Sequence, residues 1–169
     1  MADVLPDLAL RPGRVEDAAA LRALGEAVVP ATYGPLDPAY AAMMLDRWWA
    51  TDRLAESLGR LPHVIAESGG QVVGVANLGR RDDRWVMWKL YVHPDQQGRR
   101  LGTRLLAAIV DLVDGDALWL EHVDGNDAAA AFYRSHGFVE VERAPHPHVV
   151  GVRRLRHPPA GRDRRPGRG

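Results

Sequence analysis

Apolar positions along this chain switch repeatedly between a period of two and a period near 3.6, which predicts strands alternating with helices. Residues 8–11 read as a short first strand. Across 16–29 the apolar Ala20, Leu21, Leu24 and Val28 fall on one helical stripe, with Asp17 near its start. Residues 30–38, bracketed by prolines, read as a loop, and 41–49 and 51–58 as two further helices, the second closed by Gly59. The clearest hairpin joins 64–67 to 72–78 through Ser68-Gly69-Gly70, and a charged turn at 80–84 leads into a fourth strand at 85–92. A helix at 102–113 puts Leu105, Leu106, Ile109, Leu112 and Val113 inward and ends at Gly115. A fifth strand at 118–123 precedes a helix at 127–135, with Asn126 as N-cap and Gly137 past its end. Segments 138–143 and 149–154 close the sheet.

Composition narrows the options. A chain of 169 residues with 46% apolar content suits one domain with one sizeable core. No apolar run approaches the length needed to span a bilayer, and the start Met-Ala-Asp-Val-Leu-Pro-Asp carries no basic or apolar leader, so a cytoplasmic protein without membrane association is expected. There is no cysteine, which excludes disulfides, thiolate metal sites and a cysteine nucleophile. Net charge is zero, but seven arginines follow residue 152. The division expected is a folded domain at 1–156 and a basic Pro/Gly/Arg tail at 157–169. No aromatic interleaves those arginines, so nucleic acid is not the expected partner.

The chemistry concentrates in two stretches. The first is Leu90-Tyr91-Val92-His93-Pro94-Asp95-Gln96-Gln97-Gly98-Arg99-Arg100-Leu101-Gly102-Thr103-Arg104. A strand runs into a basic turn with two glycines that opens directly into a helix, so free backbone N–H groups converge where a phosphate or pyrophosphate would sit. Neither the nucleotide-hydrolase loop nor the dinucleotide glycine fingerprint is present. The second stretch, residues 120–138, ends a strand at a polar turn and follows it with an alanine-rich helix carrying Phe132 and Tyr133. His146-Pro147-His148 has no carboxylate at ligand spacing, so a loop and no metal site is expected there.

Together the two stretches resemble the GNAT superfamily of N-acetyltransferases. Gln97-Gly98-Arg99-Arg100-Leu101-Gly102 is similar to its pyrophosphate signature Gln/Arg-x-x-Gly-x-Gly/Ala, with Arg100 where the signature has its first glycine. Asn126, Ala129, Tyr133, Gly137 and Phe138 fall at the spacing of its second signature. The resemblance implies a mixed, mostly antiparallel α/β sheet of six to seven strands, splayed between strands four and five and flanked by about four helices. It implies acetyl-CoA as co-substrate and no metal. The pantetheine arm would pair with Leu90, Tyr91 and Val92. The pyrophosphate would lie on the N–H groups of Gln97, Gly98, Arg99, Arg100, Leu101, Gly102 and Thr103, with Asn126 on the pantetheine side and Tyr133 by the thioester sulfur.

Direct transfer from thioester to amine needs a base and an acid. The resemblance implies Tyr133 as the acid. The fourth strand holds no carboxylate, and Glu121, in Leu120-Glu121-His122, resembles the base of the ribosomal-protein alanine acetyltransferase branch. Strand alternation puts His122 on the opposite face from Glu121, which argues against their sharing one site; His122 or a water chain stays open as the base. For the acceptor, Tyr33, Tyr40, Trp48 and Trp49, with Glu26 and Asp37 nearby, suit a small cationic amine such as a polyamine. A protein N-terminus and a non-catalytic acyl-CoA binder are the alternatives. A homodimer is also expected.

Overall fold

The computed structural model describes residues 7–149 and 151–159. Seven strands form one sheet in the order β1-β2-β3-β4-β5-β7-β6: β1 (Leu8–Pro12), β2 (His63–Ser68), β3 (Gln71–Arg81), β4 (Arg84–Val92), β5 (Leu118–Val123), β6 (Val139–Ala144) and β7 (Val152–His157). Among the described residues, five α-helices surround it: α1 (Ala18–Tyr33), α2 (Pro38–Trp48), α3 (Thr51–Arg60), α4 (Leu101–Leu112) and α5 (Asp127–Ser135). Every strand pairing is antiparallel except β4 with β5. That parallel pair is short, running only from Trp85↔Leu118 to Met87↔Leu120. Beyond Met87 the two strands part, while β4 stays bonded to β3 as far as Val92. Among the described residues, one edge of β4 is therefore left without a neighbouring strand over residues 88–92, which is the splay the family resemblance implied.

The sheet is packed on both faces. Against one lies α4, whose Leu101, Leu105, Leu106 and Ile109 bury into Ala66, Ala76, Leu78, Met87, Leu118 and Leu120. Against the other lie α1 and α3, whose Leu21, Leu24, Val28, Leu54 and Leu58 meet Ile65, Val75 and the fully buried Trp49. A Cβ on Gly25 would stand 2.4 Å from the Trp49 ring, so α1 needs glycine there to let the indole in.

Three local expectations are corrected. The loop placed at 30–38 is shorter, because α1 continues through Pro30 to Tyr33. Pro30 lacks one helical N–H, yet its carbonyl still accepts from Gly34 at 2.9 Å, and the last turn closes. Gly59 lies inside α3, whose C-cap is Leu61. The turn at 80–84 tightens to Asp82-Asp83, both at positive φ (48° and 61°), the two-residue turn that matches strand twist. Of the tail placed at 157–169, residues 160–169 lie outside the described residues, and β7 itself runs to His157.

A bulge interrupts the pairing of β3 with β4. Asn77 pairs with Lys89 and Leu78 with Met87, so Trp88 is the extra residue on β4. Bulges re-aim side chains, and Trp88 borders the opening between β4 and β5.

Candidate active site

A cavity of about 640 Å³ fills the splay between β4 and β5. At one end it is walled by the turn from β4 into α4 and by α5; at the other by Tyr33 of α1, Tyr40 and Met44 of α2, and His146 of the β6–β7 loop. The strands meet in the middle, where Leu90, Tyr91 and Val92 face Leu120, Glu121, His122 and Val123.

The turn end is made largely of backbone. His93 and Pro94 begin a short 3-10 turn, with the His93 Nδ1 accepting from the Asp95 N–H at 3.1 Å. The Gln97 N–H closes that turn on the Pro94 carbonyl at 3.3 Å, so the unpaired donors start one residue later than the sequence suggested. Six consecutive N–H groups, 98–103, make no backbone hydrogen bond among the described residues; the helical ladder starts with Arg104 on the Arg100 carbonyl at 3.1 Å. Gly98 takes φ 82° with open space around it. Arg100, at the signature's glycine position, adopts the left-handed conformation that glycine would supply (φ 57°, ψ 21°). Holding an arginine there costs about 1–2 kcal/mol of backbone strain, and its side chain lines the cavity. A Cβ on Gly102 would meet Phe132 no closer than 3.5 Å, an ordinary contact. The fold thus has room for a side chain at Gly102 and lacks one, which leaves space for a ligand to approach the backbone. Helix dipole, free N–H groups and guanidinium all favour an anion at this end.

Asn126 and Tyr133 come from the next strand-to-helix unit. The Asn126 side chain caps α5 by accepting from the Ala129 N–H at 3.1 Å and also lines the cavity. Tyr133 packs edge-on between Phe132 (5.3 Å) and Phe138 (5.4 Å). Its hydroxyl has no protein partner among the described residues, and burial holds its pKa above the ordinary tyrosine value, so it stays a neutral donor.

Glu121 and His122 both line the cavity, contrary to the expectation from strand alternation. The cavity opens at the edge of β5 past its last contact with β4, so side chains leaving either face reach it. Both guanidinium bonds to Glu121 fall on one oxygen: Arg81 donates to Oε1 at 2.7 Å and Arg154 at 2.8 Å. Burial pushes the Glu121 carboxyl up, but those two bonds outweigh it and hold the group below the usual carboxylate range. His122 is 8% exposed; its Nδ1 lies 3.0 Å from the Val123 carbonyl and its ring is stacked on Tyr133 at 6.4 Å. A ring nitrogen facing a carbonyl must carry the proton, so Nε2 keeps its lone pair.

The far end is aromatic and almost uncharged. The Tyr33 and Tyr91 hydroxyls share a hydrogen bond at 2.7 Å, Tyr40 packs edge-on against Tyr33 at 5.3 Å, and His146 against Tyr40 at 6.0 Å. Burial raises all three tyrosines, Tyr40 to about 12. Four expected neighbours are elsewhere. Glu26 pairs with Arg22 at 3.0 Å, and Asp37 caps α2 by accepting from the Tyr40 N–H at 3.0 Å. Trp48 is 53% exposed, and Trp49 is core. Met44 and His146 have no signature in the sequence; the fold alone delivers them. Lys89 is turned away under Trp49, 5.1 Å from the ring, where burial pushes its ammonium down to about 8. Among the described residues, no three His, Asp or Glu side chains are grouped to hold a metal ion.

Residues 22–138 match the model of the acetyltransferase (GNAT) family. The chain belongs to that family. It is similar to the N-alpha-acetyltransferase RimI of Mycobacterium tuberculosis, 41% identical over 83 residues covering 47% of this chain and 52% of the relative. It is also similar to the L-amino acid N-acyltransferase MnaT of Escherichia coli, 32% identical over 99 residues covering 54% and 58%. The chain thus matches little more than half the length of each. Among solved structures, the PaiA N-acetyltransferase of Thermoplasma acidophilum in complex with coenzyme A superimposes with a TM-score of 0.80 at 15% identity, covering 90% of this chain and 99% of that one. The ribosomal-protein-S18-alanine N-acetyltransferase of Escherichia coli gives 0.71 at 20% identity, covering 96% and 100%. Those two likenesses establish the GNAT fold.

Proposed function

We propose that this protein is an N-acetyltransferase that moves an acetyl group from acetyl-CoA directly to a primary amine. The observation that carries the reading is the run of six free N–H groups at 98–103, continuous with the unpaired edge of β4. One contiguous segment offers donors for a pyrophosphate and then a strand edge for the amide-bearing pantetheine arm. Bound acetyl-CoA supplies the activated acyl group as a thioester. Leu90, Tyr91 and Val92 hold the arm; Gly98, Arg99, Arg100, Leu101, Gly102 and Thr103 hold the pyrophosphate, with Gln97 shaping the turn and Asn126 flanking the arm.

The acceptor enters from the aromatic end. Glu121 is the one carboxylate on the cavity wall among the described residues; it stays ionised, and with both arginines on Oε1 its Oε2 is the oxygen that can accept from an ammonium. A carboxylate held below its usual range is a poor final base for an amine. His122, with Nε2 bare beside Tyr133, is better placed to take the proton, directly or through water from Glu121. Tyr133, kept neutral by burial, returns a proton to the leaving sulfur. The chain has no cysteine, so no thiol of its own can carry the acetyl group.

A small cationic amine, for example a polyamine, fits this end best. The tyrosines offer ring faces to an ammonium, and among the described residues no arginine or lysine stands at this end of the cavity to hold a free carboxylate. The same absence of a cation favours a peptide N-terminus over a free amino acid. The peptide reading is the second one, supported by the RimI relative. An exposed β6 edge, with Val139 at 61% and Val141 at 55%, supports a homodimer. No helix of the described residues is long and apolar enough to cross a membrane, and a cytoplasmic site of action follows from the need for acetyl-CoA. The deciding experiment is thiol release from acetyl-CoA across polyamines, amino acids, aminoglycosides and peptides. Turnover with amines lacking a carboxylate is expected; turnover only with free amino acids, or none at all, would overturn the reading.

A further inference from the structure

One side chain outside the cavity grips the pyrophosphate end. His136, just past α5, places Nε2 3.0 Å from the Thr103 hydroxyl and Nδ1 2.8 Å from the Phe132 carbonyl. The Ser135 hydroxyl, 3.1 Å from Nδ1, donates to the same carbonyl at 2.7 Å. The Phe132 ring lies 4.3 Å from the imidazole and is also the group that faces Gly102. These bonds tie the end of α5 to the first turn of α4.

The carbonyl fixes the tautomer. Nδ1 must carry hydrogen to face the Phe132 oxygen, so in the neutral ring Nε2 is an acceptor. Thr103 lines the cavity at the N-terminus of α4, and its hydroxyl then spends its one proton on His136 and offers an anion only lone pairs. Protonating the ring reverses this. Nε2 gains a hydrogen and donates to Thr103 Oγ1, and the hydroxyl proton is released toward the cavity.

We propose that His136 is a positioning residue for the donor site: its protonation turns Thr103 from a hydrogen-bond acceptor into a donor for the pyrophosphate of coenzyme A. The inference rests on the pyrophosphate lying at the N-terminus of α4. The charged and titratable residues at the adjoining ends of these elements are Arg99, Arg100 and Arg104 at the start of α4, Arg134 on α5, and Arg156 and His157 on β7. The carboxylates of the two helices, Asp111 and Asp127, lie at their opposite ends. A pyrophosphate bound at the N-terminus of α4 brings negative charge close to the ring. Binding and proton uptake at the ring are therefore coupled.

The test is the affinity for coenzyme A at pH 6.0 and pH 8.0 in the wild type, His136→Gln and Thr103→Val. The phosphates of coenzyme A titrate equally in all three measurements, so only differences between proteins count. The wild type should gain roughly fivefold more affinity on acidification than either variant, the scale of one charge-assisted hydrogen bond gained. A merely structural role would weaken the variants equally at both pH values. Equal pH ratios in the three proteins, or variants that bind at neither pH, would overturn the inference. A wild type that binds no coenzyme A at either pH would instead remove the donor-site reading on which it rests.

Discussion

The two ends of the cavity are built by different means. The end assigned to the donor uses six consecutive backbone N–H groups, one helix dipole and one strand edge, all from residues 88–103. The end assigned to the acceptor uses side chains delivered by α1, α2, β4, β5 and the β6–β7 loop, from Tyr33 to His146. The first is polar and cationic; the second is aromatic, with Glu121 its one carboxylate among the described residues. Backbone recognition of a phosphate survives most changes of side chain, whereas the aromatic end can be altered by substitutions at scattered positions. The architecture therefore fixes the donor more firmly than the acceptor.

The sharpest break is expected where the two ends meet. Tyr133→Phe should lower kcat about 100-fold while leaving the affinity for coenzyme A near wild type, because only the proton donor is lost. Steady-state kinetics with a binding measurement checks this, and near-full turnover would move the acid elsewhere. On the donor side, Gly102→Ala should preserve or raise Tm, since alanine favours a helix by about 1 kcal/mol and the packing admits a Cβ. The same methyl fills the cradle, so KM for acetyl-CoA should rise roughly tenfold, about the 1.4 kcal/mol that one misplaced phosphate contact is worth.

On the acceptor side, Glu121→Gln should raise KM for a cationic amine about fivefold, roughly the strength of a charge-assisted hydrogen bond, and leave KM for acetyl-CoA unchanged. Glu121 is held below the usual carboxylate range, so its ion pairs with Arg81 and Arg154 persist at neutral pH and are lost only as pH falls through that range. Hence the pH profile of kcat/KM near neutrality should be the same in this variant as in the wild type. The smallest effect concerns the turn. Arg100→Gly should relieve left-handed strain and add about 1 kcal/mol of stability in thermal unfolding, while weakening coenzyme A binding two- to threefold through loss of the guanidinium.

Legibility in the sequence followed the same divide. The pairing of glycines with a strand-to-helix switch marked the turn of free N–H groups, and α5 and β5 were placed at their observed bounds, because both signals are local. Pro30 read as a break, since a missing N–H is visible in sequence, whereas the packing of α1 on α2 and α3 that carries the helix past it is not. Period-two alternation correctly put Glu121 and His122 on opposite faces but could not show that β5 parts from β4 there, which brings both to one cavity. The clamp of Arg81 and Arg154 on Glu121 joins residues 40 and 33 positions away. His146 and Met44 reach the wall only through the closing of the sheet and helices around the splay.

Amide chemical shifts during titration with coenzyme A test the central claim most directly. Shifts concentrated on residues 98–103 and along the β4 edge at 88–92, with little change in α3 and β1, are the predicted result. Binding whose shifts fall elsewhere, or no binding at saturating coenzyme A, would contradict it.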